Sequence, residues 1–548
     1  MTTAKRPGGA FQVQLSITWA GRLTVPHERE HDGARVLALV RRGGFTARLI
    51  VPAAPQGDGG NVGRQRIETQ EARTTVRRRY PLNPCDYLFL AHHWMMQQAG
   101  QIGNLPYMVM DLDGGVNADA ISAGVRRALE AHPVLRGRIR LSLFWARPYW
   151  HVDDGDELPL EIVDLRNEPD WRAAADARIE AGLARGWDVY RAPQVRIELY
   201  LGGDGQARLC LRWPHALMDA EGAQRFLAEV ERLGVRRGGT GHPDHDTSRR
   251  DEPFNRTQGG EHRGGVGNGS SNGDQASAGD KPLDLLAGRG LLDRVGLFRR
   301  GLKLYRGADC GGIERLARGP AAGGTWRICS RRWDGDEWSH IRRRAAERCP
   351  QGSARFSRYL GGCVLRALHR LLEERSVPVE ECLVTLPMRV RGTPAARPLV
   401  GNYLVSATLS ARRDEIADKQ RLLDGLSRQI EGFLKDDADL ANWALVWGAS
   451  FLRARQYRWL LSGSWGLQPY ASGFSYYGEI DPPIRRFGGA RVTNLWGSGT
   501  MSAPPGWNPV FSRFGESLNL GLTWLEGYFD RSTAERYAGL IEGELLNG

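Results

Sequence analysis

The chain lacks the features that mark membrane-spanning, secreted and nucleic-acid-binding proteins. No stretch approaches about 18 consecutive apolar residues, the length that a membrane-spanning helix needs, and the N-terminus has no apolar core of a secretory signal. No RNA- or DNA-binding motif is present, and the arginines are dispersed rather than interleaved with aromatic residues. The sequence therefore predicts a cytoplasmic protein without a nucleic-acid partner, and it leaves peripheral membrane association open.

Paired cysteines and regular metal-ligand spacings are also missing. The cysteines are odd in number and free of any C-x-x-C pair, which predicts reduced, mostly buried thiols. Three histidines, His242, His245 and His262, are irregularly spaced in a polar tract, which argues against a metal centre. No metal is expected. The seven cysteines are Cys85, Cys210, Cys310, Cys329, Cys349, Cys363 and Cys382.

Length and charge set the scale of the protein. At 548 residues the chain is long enough for two or more units with cores of their own. Its net charge of +12 favours acidic partners such as the phosphates of coenzyme A, a phosphopantetheinyl carrier protein or anionic lipid. Charge alone does not choose among them.

A histidine follows a predicted β-hairpin at residues 195–213. Residues 195–201 and 207–213 alternate polar and apolar side chains, and a Gly-Gly-Asp-Gly sequence at 202–205 separates them. This pattern is typical of two antiparallel strands joined by a short turn. His215 is thus predicted to lie in a loop just beyond a strand end.

A helix is predicted to begin directly after this loop. Asp219 is placed to act as its N-cap, and the apolar residues that follow recur at helical spacing. A loop histidine can serve as a general base, because its ordinary pKa of about 6.5 allows proton transfer near neutral pH. The alternative is a capping aspartate beside an incidental histidine. The apolar positions are Ala223, Phe226, Leu227 and Val230.

The segment resembles the HHxxxDG motif of the condensation-domain-like acyltransferase superfamily. That superfamily includes chloramphenicol acetyltransferase, the condensation domains of peptide synthetases and bacterial wax ester synthases. The resemblance implies that His215 is the catalytic base and that Asp219 is the motif aspartate. Two departures stand out: Pro214 replaces the first histidine, and Ala220 replaces the glycine.

Two other segments of the first half are similar to this superfamily. Residues 80–90 look like the opening "PLSPxDxxFL" of wax ester synthase-type enzymes, and residues 132–139 look like its "HPxLR" segment. The second resemblance implies that Arg136 pairs with Asp219, the alternative being a solvated arginine at a strand end. The nearby pair His92-His93 begins like the motif but has Gln97 where the aspartate belongs, so we interpret it as helix-surface or tunnel-lining.

The second half carries matching signatures. Residues 382–391 and 400–406 resemble the "PVxLR … GN" pair, and residues 471–480 fall where the superfamily has its "SN-x-G" strand. Tyr476 departs from the usual asparagine, which leaves Ser475 as the nearest hydroxyl. Ser475 is therefore a candidate to stabilise an oxyanion. The alternative is a strand serine bonded to a neighbouring strand.

The resemblance implies an α/β fold of two chloramphenicol acetyltransferase-like halves in a pseudo-twofold arrangement with a tunnel between them. It covers residues 80–548 apart from a linker. For residues 1–79 three interpretations remain: a small β-rich addition, a disordered extension or an upstream reading of the start codon. The predicted segments are an extension at 1–79, a first half at 80–233, a Gly-rich linker or insertion at 234–280, an amphipathic connection at 281–324 and a second half at 325–548.

The connection contains a basic helical pattern at 283–305. Leucines recur at helical spacing beside Arg294, Arg299 and Arg300. One interpretation is an amphipathic helix that lies on an anionic membrane or on a carrier partner. The other is a helix packed on the protein with its basic side in water.

Together these resemblances imply an acyltransferase. The resemblance implies that an acyl group moves from a coenzyme A or carrier-protein thioester to a small-molecule or lipid-like alcohol, with an amine acceptor as the close alternative. No permanently bound cofactor is expected, because the pantetheine arm arrives with the donor as acyl-CoA or an acyl-phosphopantetheine carrier. The competing interpretation is an inactive condensation-like binding or scaffold protein, with Pro214 and Ala220 as marks of decay.

Overall fold

The computed structural model of the chain divides it into two compact units, Met1–Thr74 and Thr75–Gly548. In the first unit, β1 (Thr18–Trp19), β2 (Ala34–Arg42) and β3 (Phe45–Pro52) form an antiparallel sheet in the order β1-β3-β2. The second unit contains every motif discussed above. The structure describes residues 18–19, 34–42, 45–52, 78–141, 147–152, 155, 157–191, 193–235, 283–304, 313–350, 354–394, 397–453, 456–457, 472–479 and 483–548.

The first half of the second unit alternates strands and helices. A short 3-10 turn, Pro133–Arg136, joins the second helix to the next strand. The strands are β4 (Arg78–Pro81), β5 (Pro106–Asp113), β6 (Gly137–Arg140), β7 (Tyr149–Val152), β8 (Leu160–Asp164), β9 (Arg196–Leu201) and β10 (Ala207–Arg212). The helices are α1 (Pro84–Gln98), α2 (Ala118–Ala131), α3 (Trp171–Ala184) and α4 (Ala220–Val235).

The second half follows the same plan. A helix in the connecting segment, α5 (Leu291–Leu304), and a 3-10 turn, Ile313–Leu316, precede it. Its strands are β11 (Thr325–Asp334), β12 (Glu381–Arg389), β13 (Leu404–Arg412), β14 (Ser472–Gly473), β15 (Ser475–Tyr477), β16 (Arg486–Phe487), β17 (Ala490–Gly499), β18 (Trp507–Phe514) and β19 (Ser517–Glu526). Its helices are α6 (Gly335–Arg348), α7 (Arg355–Glu374), α8 (Arg413–Ala417), α9 (Lys419–Lys435), α10 (Ala438–Ala449) and α11 (Arg531–Leu546).

The two halves share a sheet. A six-stranded sheet has the order β16-β17-β5-β10-β9-β8, so two strands from late in the chain extend the sheet of the first half. The predicted hairpin is confirmed as β9 and β10, which pair antiparallel and continue onto β5. The second half keeps two sheets of its own, β11-β19-β18-β15 and β13-β12-β14. The crossing strands hold the two halves together beside His215.

Helices α2 and α4 cover one face of the shared sheet. Asn117 caps α2 by accepting a hydrogen bond from the N–H of Ala120 at 2.9 Å, as its position predicts. The two helices approach so closely that a Cβ at Gly124 would lie 2.2 Å from the carbonyl oxygen of Val230. A glycine at this crossing is therefore required by packing.

Three predicted helices have different bounds in the structure. The sequence pattern at 415–434 predicts one continuous helix, but the helix breaks at Asp418, whose extended backbone and carboxylate cap α9. The Trp-rich apolar run at 440–461 predicts another helix, which ends at Ala449 in the structure. The helix expected at 283–305 begins at Leu291, because Gly288 takes a positive φ of 78° in a turn before it.

Candidate functional site

The loop that carries His215 is fixed by backbone and indole hydrogen bonds. The N–H of His215 donates to the carbonyl of Asn104 at 3.2 Å, and the indole N–H of Trp213 donates to the carbonyl of Met218 at 2.9 Å. Trp213 is fully buried at the end of β10. Residue 215 therefore has a defined position between a strand and α4, as predicted.

Asp219 caps α4 and forms a buried ion pair. Its carboxylate accepts a hydrogen bond from the N–H of Gly222 at 2.9 Å, which confirms the predicted cap. It also accepts one from Arg397 at 2.6 Å, where the arginine side chain is 1% exposed and the aspartate 10%. Ala220 is the first helical residue of α4, so its methyl group occupies an ordinary helical position.

The predicted pairing of Arg136 with Asp219 is wrong, because Arg397 takes that position. Arg136 ends the 3-10 turn between α2 and β6, and its side chain is half-buried there. Arg397 comes from a loop that runs back to the motif, where the N–H of Gly401 donates to the carbonyl of Leu217 at 2.8 Å. The second half of the chain therefore holds the motif in place through an ion pair and a backbone hydrogen bond.

Asn402 fixes the tautomer of His215. Its Nδ2 donates to the carbonyl of His215 at 2.8 Å and to Oδ1 of Asp86 at 2.9 Å, and both of these atoms accept hydrogen bonds. The amide oxygen must then be the atom that lies 3.1 Å from Nδ1 of His215. Nδ1 therefore carries the proton, and Nε2 has the free lone pair.

Asp86 anchors Asn402 from α1. One carboxylate oxygen accepts hydrogen bonds from the backbone and side-chain nitrogens of Asn402, at 2.8 Å and 2.9 Å, and the other accepts from the N–H of Asn83 at 3.0 Å. Burial raises the pKa of Asp86 to about 7. Asp86 and Asn402 lie in the segments at 80–90 and 400–406 that resemble the superfamily, although that resemblance assigns neither a role, and Arg397 lies in no such segment.

The environment of His215 favours the neutral imidazole. Burial lowers its pKa below the ordinary value of 6.5. The ring of Phe89 stacks on the imidazole with ring centroids 3.7 Å apart and planes inclined by 8°. A neutral ring held in one plane with a free Nε2 has the properties of a general base.

His215 opens onto a cavity of about 260 Å³ between the two halves. This cavity confirms the predicted tunnel region, since strands of both halves supply its walls. Its lining is mainly apolar, with polar groups at a few places. Besides His215, the lining includes Phe89, Met95, Met108, Leu404, Val446, Phe474 and Val510.

Ser475 also lines this cavity, from β15. It pairs with Val510 of β18 in parallel register, and successive side chains of a strand point to opposite faces. Tyr476 accordingly packs against Phe356, with ring centroids 5.3 Å apart, while Ser475 and Tyr477 line the cavity. The position of Ser475 is compatible with the predicted oxyanion role, which remains a prediction.

The pair His92-His93 divides between cavity and core. His92 lines the cavity, as predicted, with its Nδ1 3.2 Å from Nδ2 of Asn104. Burial lowers the pKa of His92 to about 4, so its ring stays neutral. His93 is buried, and its Nδ1 accepts a hydrogen bond from the N–H of Asn104 at 3.2 Å. His93 is therefore a packing residue.

Replacing Asn402 tests how the tautomer is held. Asn402→Leu is expected to lower kcat by about 10- to 100-fold with little change in KM. The substitution removes the group that orients the base, whereas the pocket that binds the substrate is unchanged. The ring ¹⁵N chemical shifts of His215 should change from one tautomer to a mixture. Asn494→Leu is the matched control, because Asn494 is not among the described residues that line the cavity and its amide bonds to Asn519 at 3.0 Å; it should leave the ring shifts of His215 unchanged. Unchanged ring shifts in Asn402→Leu would contradict the assignment.

The residues that the structure describes include neither a metal-binding cluster nor a membrane-spanning helix. Within those ranges, no group of three or more His, Cys, Asp or Glu side chains is placed to hold a metal ion. His242, His245 and His262 lie outside the described residues. Of the helices described, none has the length and apolar character needed to cross a membrane.

Comparison with known proteins identifies the fold. No family model matches the chain. A segment of 130 residues, 24% of this chain, is 28% identical to chondramide synthase cmdD of Chondromyces crocatus, and the match spans 3% of that synthase. The whole synthase is thus far longer than the segment shared with it.

Solved structures match over most of the chain. The first condensation domain of the CDA synthetase aligns with a TM-score of 0.55 and 17% identity, over 86% of this chain and 97% of that one. The condensation domain of the Monacolin K polyketide synthase gives 0.54 and 12%, over 85% and 96%. The starter condensation domain of rhizomide synthetase, in complex with C8-CoA, gives 0.55 and 13%, over 85% and 94%. At these identities the likeness establishes a common fold.

Proposed function

Because the chain has the fold of the condensation-domain-like acyltransferase superfamily, with two chloramphenicol acetyltransferase-like halves, we propose that it transfers an acyl group from a thioester to an alcohol or amine. The donor is acyl-CoA or an acyl-phosphopantetheine carrier protein. The observation that carries the proposal is the bond between Asn402 and Nδ1 of His215, which leaves Nε2 free to accept a proton.

The proposed reaction follows from that lone pair. Nε2 of His215 removes the proton from the acceptor O–H or N–H while the acceptor atom bonds to the thioester carbonyl carbon. The carbonyl oxygen becomes an oxyanion, to which the hydroxyl of Ser475 donates a hydrogen bond. The carbon–sulfur bond then breaks, and the imidazolium returns its proton to the leaving thiolate. The site requires no bound cofactor for this sequence.

Ester formation is the favoured form of the proposal, with amide formation second. The wax ester synthase-like opening at 80–90 supports an alcohol acceptor. The competing proposal is an inactive binding protein of the same fold. The hydrogen bonds that join Asp86, Asn402 and His215 support an enzyme, because a site without catalytic activity does not require that one tautomer of the imidazole be held.

A thioester panel tests the proposal. The full chain is incubated with acyl-CoA or acyl-N-acetylcysteamine thioesters and with matched alcohol and amine acceptors, and products are followed by mass spectrometry alongside release of free thiol. Acceptor-dependent thiol release with an ester or amide product is the expected result. Binding of thioesters without any product from the whole panel would favour the inactive alternative.

Helix α5 supports a further proposal, contact with an anionic membrane. Leu297 is buried against the protein and Gly301 packs against α10, where a Cβ would lie 2.5 Å from the carbonyl oxygen of Ala441. Leu292 is 86% exposed beside exposed Arg299. The helix thus packs on the body through one face, and its exposed leucine and basic groups form a surface suited to acidic lipid headgroups.

Two leucine variants test the buried and the exposed face of α5 separately. Leu297→Ser is expected to lower the free energy of unfolding by about 2 to 5 kcal/mol, because a buried apolar contact is lost. Leu292→Ser should leave the melting temperature unchanged and weaken binding to phosphatidylglycerol vesicles, and added salt should weaken binding further. If wild-type protein does not bind such vesicles at low salt, the membrane proposal is wrong.

A further inference from the structure

One wall of the cavity is polar, although the rest is apolar. The strands β12 and β13 pair antiparallel, and Thr385 lies directly opposite Thr408. Ser406 lies two residues before Thr408 on the same face, since side chains of a strand alternate. All three side chains line the cavity and are half-buried. Three residues that carry hydroxyl groups therefore border the space in which a substrate would lie.

Asn442 of α10 adds a buried acceptor to this wall. Its side chain lines the cavity, and the residue is 2% exposed. Its Nδ2 donates to the backbone carbonyl of Ser406 at 3.1 Å. Because a carbonyl only accepts, this bond fixes the orientation of the amide. The Oδ1 atom has no hydrogen-bond partner within the described part of the chain.

An unpaired buried acceptor costs free energy unless a ligand or water satisfies it. A plain hydrocarbon chain that displaced water from this wall would leave Oδ1 and the three hydroxyls without partners. A substrate with an N–H or O–H group would satisfy Oδ1 and offer an acceptor to a hydroxyl as well. The donor group should be uncharged, since Asp219, the carboxylate among the described lining residues, is already paired with Arg397.

From this arrangement we infer that the wall of Thr385, Ser406, Thr408 and Asn442 is a polar subsite that selects a substrate carrying an uncharged hydrogen-bond donor, an amide or a hydroxyl, over an alkyl chain of equal length. The inference rests on the proposed acyl transfer and narrows its substrate class. It places the selecting contact in the second half of the chain, apart from the base in the first half.

Matched substrate pairs on a constant thiol handle test the subsite. Pentanoyl, N-acetylglycyl and 3-hydroxypentanoyl thioesters of N-acetylcysteamine have acyl chains of equal length, and pentanol, N-(2-hydroxyethyl)acetamide and 1,3-pentanediol form the corresponding acceptor series. In at least one series the wild type should prefer a polar member by about 10-fold or more in kcat/KM. Comparison of the amide member with the hydroxyl member shows whether the wall selects an N–H or an O–H hydrogen-bond donor.

Asn442→Leu should lower kcat/KM for the preferred polar member by about 10- to 100-fold and leave the alkyl member unchanged or improved. Thr408→Val, which keeps the shape of the side chain, should also lower kcat/KM for the preferred polar member. It replaces Asn442→Leu in the test if that variant folds poorly. Equal losses on all members would show that the wall contacts the common handle, and equal rates in wild type would show no selection. Either result overturns the inference.

A binding measurement keeps this test independent of turnover. The stabilisation of the full chain by each thioester is followed as a shift in melting temperature, in wild type and in Asn442→Leu. If no product forms but the polar thioester stabilises only the wild type, the acyl-transfer proposal fails and the subsite stands. If product forms without discrimination by Asn442, the subsite fails and acyl transfer stands.

Discussion

His215→Ala is expected to lower acyl transfer by about 100- to 10,000-fold, the usual cost of losing a general base. Its melting temperature should stay close to that of the wild type. The imidazole is half-buried at the cavity and stacks on Phe89, so its loss removes one ring contact without opening a core. The measurement is kcat/KM for the best thioester and acceptor pair, together with a thermal unfolding curve.

A histidine outside the cavity is the control for this variant. His340 is not among the described residues that line the cavity, and its Nε2 lies 2.9 Å from the carbonyl of Leu546 near the C-terminus. His340→Ala should retain the wild-type rate. Full activity in His215→Ala, with product identity checked by mass, would exclude His215 as the base.

The pH dependence of the wild type follows from the same ring. The base acts only when neutral, so kcat/KM should fall as pH drops through the pKa of His215. Burial lowers that pKa, which places the acidic limb below about pH 6.5. A limb well above that value would show that another group controls the rate.

The local parts of the site could be predicted from sequence because they depend on neighbouring residues. Strand alternation around Gly202–Gly205 predicts the hairpin, and the Asp219 cap with its apolar spacing predicts α4. Both place His215 at the cavity. The prediction of one continuous helix at 415–434 was wrong at Asp418. The apolar pattern continues through this residue, although aspartate favours a cap position, which it takes in α9.

The long-range parts could not be predicted in the same way. Arg397 pairs with Asp219 across 178 residues, and no spacing rule relates the two positions. The segment 397–402 reaches the motif only because β12 and β13 bring it to the shared cavity. The resemblance implies Arg136 instead, but that residue ends a 3-10 turn, and the carboxylate of Asp219 bonds to Arg397.

The largest expected effect on stability lies in that ion pair. Arg397→Met should lower the free energy of unfolding by about 3 to 5 kcal/mol, because it leaves the buried carboxylate of Asp219 without its cation. The arginine side chain is 1% exposed and also lies 3.3 Å from Glu221. Asp219 therefore loses its ion-pair partner, whereas Glu221 keeps Arg225 and Arg389. Chemical denaturation at neutral pH measures the change.

Removing both charges should recover much of that loss, because the penalty comes from an unpaired buried charge rather than from the absence of attraction. Asp219→Asn with Arg397→Met is therefore expected to be more stable than Arg397→Met alone, since the asparagine still caps α4. Arg166→Met, at the exposed pair with Asp164, is the control and should change little. If the double variant were no more stable than Arg397→Met, the arginine would act through packing of its stem, and the charge of Asp219 would not set the cost.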